Sequence, residues 1–177
     1  MADEERDSDN YQQPGSAPAT IVVRDLETHD QSWLHDFLVT YNHSLRVVSR
    51  GTLHHVPQLP GLIATYNDIP SALLTYHLAH QEFEVVTLHA AVQRHGLGAR
   101  LLAAARARAR ALDCSRLWLI TTNDNEPAIR FYERQGMTLV AIHHNAIQES
   151  RKLKPEIPYF GRGGTPLRDE VEFEYRL

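Results

Sequence analysis

The sequence predicts a mixed α/β fold in which helices flank a central β-sheet. Short segments rich in β-branched and aromatic residues recur along the chain, as is typical of strands. Between them lie segments with apolar residues at helical spacing, of which the Ala-, Leu- and Arg-rich residues 97–112 are the strongest. Strands and helices that alternate in this way indicate a mixed α/β arrangement.

Length, composition and charge limit the class of protein. The chain has 177 residues, of which 42% are apolar and 23% charged, and these values are ordinary for one soluble globular domain. The formal net charge of −4 argues against bulk electrostatic binding to nucleic acid. The apolar stretches are far shorter than the ~20 residues of a membrane span, and the acidic N-terminus is unlike a secretory signal. We therefore expect a cytoplasmic protein that binds neither nucleic acid nor a membrane.

The predicted elements begin after a polar segment. Residues 1–18 offer almost no apolar side chains to bury, which predicts a disordered tail and a folded domain over residues 19–177. A short strand starts near Ala19, and residues 30–41 have the apolar spacing of a helix. The polar, His-rich residues 42–60 carry no predicted element.

Three strands and the long helix follow. Residues 62–66 and 71–78 form a predicted hairpin, because the Asn, Asp and Pro between them favour a turn. The next strand, residues 83–92, ends immediately before a loop with two glycines, and the helix of residues 97–112 begins in that loop. The apolar face of this helix is predicted to consist of Leu97, Leu101, Ala105 and Leu112.

The C-terminal part adds further helices and strands. Pro127 and Gly136 lie at the two ends of one helical pattern, where proline favours the first turn and glycine the position after the last. The predicted elements are a strand at residues 116–122, a helix at 125–136, a strand at 138–144, a short helix at 146–154 and a strand at 170–177.

The segment QRHGLGAR, residues 93–100, has the features of an anion-binding loop. It follows a strand and opens a helix, so unpaired backbone N–H groups and the helix macrodipole favour a negative charge there. Gly96 and Gly98 allow an anion to approach closely because they have no Cβ. No Gly-Lys-Ser/Thr follows, and Leu101 stands where a dinucleotide fingerprint has its third glycine, so neither nucleotide motif fits. The basic side chains that add positive charge are Arg94, His95 and Arg100.

Two spaced motifs follow one another in the second half of the chain. The first, Arg/Gln-x-x-Gly-x-Gly/Ala, is matched by Gln93, Gly96 and Gly98. The second, Asn-x-x-Ala-x-x-Phe-Tyr-x-x-x-Gly-Phe, is matched by Asn125, Ala128, Phe131, Tyr132 and Gly136, with Met137 in the place of Phe. The two motifs in this order are specific, and they resemble the signatures of the GNAT superfamily of acyl-CoA N-acyltransferases. The resemblance covers most of the chain, residues 21–177.

The resemblance implies the GNAT fold, a mixed central sheet splayed between strands 4 and 5 and flanked by helices. It implies acetyl-CoA as the co-substrate, with its pantetheine arm in the splay and its pyrophosphate on the glycine loop. The residues that it implies as acetyl-CoA contacts are Val86, Thr87, Leu88, Gln93, Arg94, His95, Gly96, Leu97, Gly98, Ala99, Arg100 and Asn125.

Acetyl transfer to an amine requires a base, an oxyanion donor and an acid. The resemblance implies that the backbone N–H of Leu88 stabilises the oxyanion and that Tyr132 protonates the departing thiolate, unless Tyr132 is only a core aromatic. Glu84 is the predicted base. The alternative is that Glu84 is only a solvent-facing carboxylate on a strand, with no role in catalysis. Glu82 shares the face of Glu84 if the strand is regular, whereas His89 has the opposite parity and ranks lower.

Metal and covalent alternatives are less favourable. The adjacent pairs His54–His55 and His143–His144 point to opposite faces if they lie on strands, which makes each pair a poor chelate, so we expect no metal. A covalent relay through Cys114 is open, but direct attack in a ternary complex is the preferred mechanism.

The acceptor stays open between a small-molecule amine and an amine of a protein or peptide, and a homodimer is compatible with the sequence. The segment 151–169 could close over the amine, with Asp169 or Glu170 attracting the ammonium group, or could be a structural crossover between the last two strands. A non-catalytic acyl-CoA-binding or interaction module on the same fold is the alternative function. The intact glycine loop, together with Tyr132 and Glu84, favours the enzyme.

Overall fold

The computed structural model describes residues 19–177, and within them it contains one seven-stranded sheet, a two-stranded sheet and four α-helices. The strands are β1 (Ile21–Asp25), β2 (Arg46–Ser49), β3 (Thr52–His55), β4 (Gly61–Tyr66), β5 (Ile69–Ala79), β6 (Glu82–Ala90), β7 (Arg116–Thr122), β8 (Thr138–His143) and β9 (Glu170–Arg176). The helices are α1 (Gln31–Tyr41), α2 (Leu97–Ala111), α3 (Glu126–Arg134) and α4 (Ala146–Leu153). The predicted tail, residues 1–18, lies outside the described residues.

The large sheet has the order β1-β4-β5-β6-β7-β9-β8, and only its β6–β7 pair is parallel. That pair is short: it runs from Glu82 opposite Arg116 to Val85 opposite Leu119. Beyond this point β6 and β7 continue without pairing to each other, so the sheet opens into a cleft. This confirms the predicted splay between the fourth and fifth strands, which are numbered β6 and β7 here because a small hairpin precedes them.

That hairpin, β2–β3, lies within the His-rich residues 42–60, for which the sequence predicted no element. Its register places Ser49 opposite Thr52, which leaves a two-residue turn of Arg50 and Gly51. Both turn residues have positive φ, at 49° and 77°, as the tight turns that match strand twist require. Arginine seldom adopts this conformation, and most such turns have Asn-Gly or Asp-Gly. Because this turn has Arg-Gly, the sequence does not indicate the hairpin.

A β-bulge in β6 changes which side chains share a face of the sheet. Thr75 of β5 lies opposite Thr87, but Tyr76 lies opposite Val85, so Val86 is an extra residue on β6. The alternation of side chains therefore shifts by one residue at this point. The prediction that His89 and Glu84 have opposite parity is wrong, because it assumed a regular strand.

Helices cover both faces of the sheet. On the first face, α2 and α3 pack on a core that includes Val85 and Phe173, and on the second face α1 packs on Ile63 and Leu73. The buried residues of α2 are Leu97, Leu101, Leu102, Ala105 and Ala109. Leu112, predicted to belong to this face, is 48% exposed because the helix has ended before it.

The segment 151–169 is a crossover that joins α4 to β9 and lies against the turn between β7 and α3. The side chain of Asn123 donates to the carbonyl of Pro166 at 2.9 Å and accepts from the backbone N–H groups of Arg168 and Asp169 at 3.0 Å each. These bonds tie the segment to the turn, and in the chain it lies between β8 and β9, the last two strands. Within residues 19–177, no helix is long and apolar enough to cross a membrane.

Candidate active site

The cleft between β6 and β7 contains a cavity of about 200 Å³. Its walls combine apolar side chains with a few polar groups, and they come from the hairpin, both cleft strands and the helices beyond them. The lining residues are Val47, Val48, Ser49, Val85, Val86, Ile120, Thr121, Thr122, Asn125, Ile147 and Glu170. A mostly apolar pocket with convergent polar groups is the usual form of a small-molecule site.

The edge of β6 that faces the cleft has free backbone groups. β7 no longer pairs with β6 after Val85, whereas β5 pairs with its other edge as far as Ala90. The N–H of Ala91 points to β5, since it donates to the carbonyl of Ser71 at 2.8 Å. Because N–H directions alternate along a strand, the N–H of Leu88 points into the cleft. An extended ligand could pair with this edge as a further strand does.

The glycine loop opens α2 next to this edge. Gly96 precedes the helix with φ of 79°, a left-handed conformation that glycine adopts without strain. The first helical hydrogen bond runs from the N–H of Arg100 to the carbonyl of Gly96, so the N–H groups of residues 97–99 have no helical partner. A Cβ on Gly98 would lie 3.4 Å from Cζ of Phe131, so α2 and α3 pack closely here. The loop therefore presents the donors expected for a phosphate.

The other predicted loop residues have local contacts. The side chain of Gln93 donates to the carbonyl of Ala90 at 2.6 Å, which closes the loop onto the end of β6. The ring of His95 packs on Tyr66, with 4.8 Å between ring centroids. Arg94 has a φ of 64°, so the tight turn is shared between this residue and Gly96. Gln93 and His95 thus contribute to the shape of the loop as well as to its polarity.

Asn125 and Tyr132 are both carried by the start and body of α3. Asn125 is the residue before the helix, but its side chain makes no capping hydrogen bond, and the residue lines the cavity. Tyr132 is 8% exposed and packs near Phe173, with ring centroids 5.7 Å apart. Burial raises the pKa of Tyr132 to about 12, so its phenol holds its proton at neutral pH.

Glu84 lies on the second face, where its side chain is only 7% exposed. Its Oε2 is 3.4 Å from Nε2 of His54 on β3 and 3.7 Å from Nδ1 of His77 on β5. It is therefore not the solvent-facing strand carboxylate that was the plain alternative. It lies next to Val85, a cavity residue, but does not itself line the cavity.

The other two candidates for the base have different surroundings. Glu82 is bound to Arg116 at 2.9 Å, and Arg116 also bonds Glu172 and Glu174 at 2.8 and 3.1 Å. Nε2 of His89 lies 3.3 Å from Oδ1 of Asn42, and burial lowers the pKa of His89. Glu82 is thus already engaged by a guanidinium, whereas Glu84 and His89 have no such partner among residues 19–177.

Two acidic residues predicted to attract an ammonium group differ in position. Asp169 bonds Arg168 and the N–H of Asn145, and chiefly the bond from Arg168 lowers the pKa of Asp169 to about 2. Glu170 lines the cavity and is 1% exposed. Its carboxylate accepts from Oγ of Ser150 at 3.1 Å and from the N–H of Arg50 at 3.3 Å. Only Glu170 therefore has a carboxylate at the cavity.

The remaining predicted groups are accounted for by local structure. Cys114 is buried after α2, and burial raises the pKa of its thiol, which disfavours a thiolate nucleophile. His143 bonds Glu172 at 2.7 Å, while His55 is exposed and His54 is buried. His54 lies in a cluster with His77 and Glu84 of two other strands, which the spacing of adjacent His residues along one strand does not reveal.

A central sheet that opens beside a short parallel pair, with a glycine loop opening a helix at the cleft, defines the class of acyl-CoA-dependent transferases with the GNAT fold. The model of the acetyltransferase (GNAT) family matches residues 23–137 of this chain. The match spans more than half of the chain, which therefore belongs to the GNAT acetyltransferase family.

Curated relatives extend this result only in part. The uncharacterized protein YdhI of Bacillus subtilis (strain 168) is 38% identical over 100 residues, which are 56% of this chain and 62% of YdhI. The uncharacterized protein YxbD of the same strain is 36% identical over 99 residues, again 56% of this chain and 62% of the relative. The match thus spans less than two thirds of either protein.

Solved structures share the fold at low sequence identity. A Bacillus subtilis acetyltransferase in complex with CoA has a TM-score of 0.70 and 18% identity, and the match covers 89% of this chain and 99% of that chain. The ribosomal-protein-S18-alanine N-acetyltransferase of Escherichia coli has a TM-score of 0.64 and 18% identity, covering 89% and 94% of the two chains. At such identities, the shared feature is the fold.

Proposed function

We propose that this protein is an N-acetyltransferase that moves the acetyl group of acetyl-CoA directly to a primary amine in a ternary complex. The observation that carries the proposal is the unpaired edge of β6 above the cavity, next to the glycine loop. A pantetheine arm can hydrogen bond to this edge, while the N–H groups at the start of α2 receive its pyrophosphate. The amide groups of the arm and the anionic pyrophosphate thus both find suitable partners.

The proposed chemistry uses groups on both sides of the cleft. Glu84, through a water molecule, takes a proton from the acceptor ammonium, and the free amine attacks the thioester carbon. The N–H of Leu88 stabilises the oxyanion, the C–S bond breaks, and Tyr132 gives its proton to the thiolate. The nitrogen of the new amide loses its second proton to water, and the phenolate of Tyr132 takes a proton back from water. Support for the last step is the place of Tyr132 in the second motif, on α3, with a phenol that carries a proton at neutral pH.

The cavity favours a small acceptor with an apolar body. Its volume of about 200 Å³ suits a small amine or the end of a longer chain, and most of its wall is Val and Ile. Glu170 adds a carboxylate whose bonds come from a neutral hydroxyl and a backbone N–H. A cationic acceptor would therefore gain a favourable partner there.

The proposal is tested by thiol release from acetyl-CoA with a panel of alkyl monoamines, diamines, amino acids and peptides. We expect saturable release with at least one amine, and peptides in the panel test the protein-acceptor alternative. CoA binding without release for any amine would instead support the non-catalytic acyl-CoA-binding module. Tyr132→Phe serves as the control, because it should lower release without removing CoA binding.

A further inference from the structure

The cluster of His54, His77 and Glu84 brings together side chains from three strands. His77 on β5 lies directly opposite Glu84 on β6, and the hairpin places His54 of β3 over them. One ligand atom of each residue lies within 4.8 Å of the other two. Because all three residues are on strands, the backbone holds these atoms in place.

The distances within the cluster suit a bound ion better than direct hydrogen bonds. Oε2 of Glu84 is 3.4 Å from Nε2 of His54 and 3.7 Å from Nδ1 of His77, beyond the usual length of a hydrogen bond. Two ligands that are each ~2.1 Å from a tetrahedral ion lie ~3.4 Å apart. The two distances from Glu84 therefore match the spacing of ligands on one ion, and the third lies within 4.8 Å.

The cluster also contains buried polar atoms without partners. Within residues 19–177, neither Nε2 of His54 nor Oε1 of Glu84 has a hydrogen-bond partner, and their side chains are only 4% and 7% exposed. Glu82, on the same strand, is bound to Arg116, but no Lys or Arg of the described residues pairs with Glu84. A buried carboxylate of this kind requires a proton or a cation to balance its charge.

We propose that His54, His77 and Glu84 bind one divalent transition-metal ion, with Zn²⁺ as the best match. Two imidazoles and one carboxylate are a known ligand set for zinc with an open coordination position. His77 is 41% exposed, so an ion can reach the cluster from solvent. The inference goes beyond acetyl transfer and does not rest on it, although an ion on Glu84 would compete with its proposed role as the base.

The test uses the full-length protein without a His tag, treated with EDTA and then desalted. Calorimetric titration with ZnCl₂ is expected to show one saturable site per chain. With CoCl₂, the same site should show visible absorption bands of a four- or five-coordinate ion with nitrogen ligands. Neither measurement uses acetyl-CoA or an amine, so its failure would leave the proposed acetyl transfer unaffected.

Substitutions assign the binding to the cluster. His77→Ala and Glu84→Gln should each weaken Zn²⁺ binding at least ~10-fold. The matched controls are His55→Ala, adjacent to His54 but exposed, and Glu82→Gln, on the same strand but bound to Arg116, and both should bind as the parent does. Circular dichroism checks that each variant is folded. If a variant is unfolded, the Co²⁺ spectrum of the parent is the test, and absence of bands from nitrogen ligands would overturn the proposal. Absence of saturable binding by the parent, or equal affinity in His77→Ala and Glu84→Gln, overturns the proposal.

Discussion

Tyr132 and Glu84 are both buried, but burial has different consequences for a phenol and a carboxylate. The phenol is neutral at pH 7, and burial raises the pKa of Tyr132 to about 12, so the group retains the proton that a general acid must give. Glu84 must be balanced by a proton or a cation, and His54 and His77 are the partners that the fold supplies. The proposed acid and base therefore depend on two different surroundings.

Tyr132→Phe tests the general acid. The variant keeps the ring and its packing near Phe173 but removes the proton, so we expect kcat to fall ~10²–10⁴-fold with little change in CoA affinity. Steady-state kinetics and a CoA binding isotherm measure the two effects. An unchanged kcat would remove Tyr132 from the mechanism and leave water as the proton donor. Weaker CoA binding with unchanged kcat would make it a cofactor contact.

Gly98→Asp tests the pyrophosphate site. The substitution adds a negative charge in the first turn of α2, so we expect CoA affinity to fall ~10-fold or more, as measured by calorimetry. Gly98→Ala is the matched control, because its Cβ would meet only the ring of Phe131, at 3.4 Å from Cζ and 3.8 Å from Cε2, and adds no charge. The assignment is wrong if the Asp variant binds CoA as tightly as the parent does.

At the scale of single elements, the start of α1 is held by an ion pair. Asp30, just before the helix, bonds Arg24 of β1 through two contacts of 2.7 Å and accepts from the N–H of Glu27 at 2.9 Å. The bond from Arg24 is the main cause that lowers the pKa of Asp30 to about 2. The pair joins the first strand to the first helix, on the edge of the sheet remote from β8.

Asp30→Asn should lower the free energy of unfolding at pH 7 by about 1–2 kcal/mol, a value reduced because Arg24 is partly exposed. Since the pKa of Asp30 is depressed in the folded state, its contribution is present above pH ~4 and is lost as the pH falls through ~2. Urea unfolding at pH 7, 4 and 2 should therefore show a difference between parent and variant that shrinks in acid. Asp36→Asn is the control, because Asp36 lies on the same helix with its side chain 81% exposed. A constant difference across this pH range would contradict the prediction.

The crossover segment offers a second element-scale test. A Cβ on Gly161 would lie 2.0 Å from Oδ2 of Asp124, the atom that accepts from the N–H of Arg162 at 2.9 Å. Gly161→Ala should therefore displace the crossover and lower the free energy of unfolding by about 1–3 kcal/mol. Thermal unfolding measures the effect. The control is Thr165→Ala, at an exposed position of the same segment, which should change the free energy of unfolding little. Equal stabilities of the two variants would show that the crossover does not need its contact with Asp124.

At the scale of the whole molecule, the two faces of the sheet contribute different parts of the site. The first face carries α2 and α3, with the glycine loop and Tyr132. The second face carries the hairpin, the cluster around Glu84 and the carboxylates joined by Arg116. The cleft between β6 and β7 connects the two faces.

Residues 1–18 are expected to be dispensable for this arrangement, because their sequence has almost no apolar side chains to bury. A truncation that starts at Pro18 should keep the melting temperature and the rate of thiol release of the parent. Thermal unfolding and the release assay measure both. A large loss of either would show that the segment packs on the domain or contributes to the site.

The sequence predicts the bounds of elements with a strong local pattern closely. It does not predict features that depend on contacts with other strands. The strand at Arg116–Thr122 was predicted with its observed bounds, and α2 with one residue too many, because alternation and helical spacing are local properties. The β2–β3 hairpin was missed because its turn uses Arg50 at positive φ. The bulge at Val86 left no mark in the sequence, since it is defined by the register with β5.

The sequence by itself determined the order of strands and helices apart from the β2–β3 hairpin, the glycine loop at the start of a helix and the two motifs that indicated the family. Each of these depends on the spacing of residues along the chain. The ability of the glycine loop to bind an anion follows from the unpaired backbone N–H groups at the start of any helix. Only the tertiary structure decided which basic side chains lie next to each carboxylate. Glu82 and Glu84 are two residues apart on one strand, yet one bonds Arg116 and the other lies between His54 and His77. Those partners come from other strands. Which side chains meet is determined by the pairing register, the bulge and the hairpin, and all three depend on contacts between distant parts of the chain.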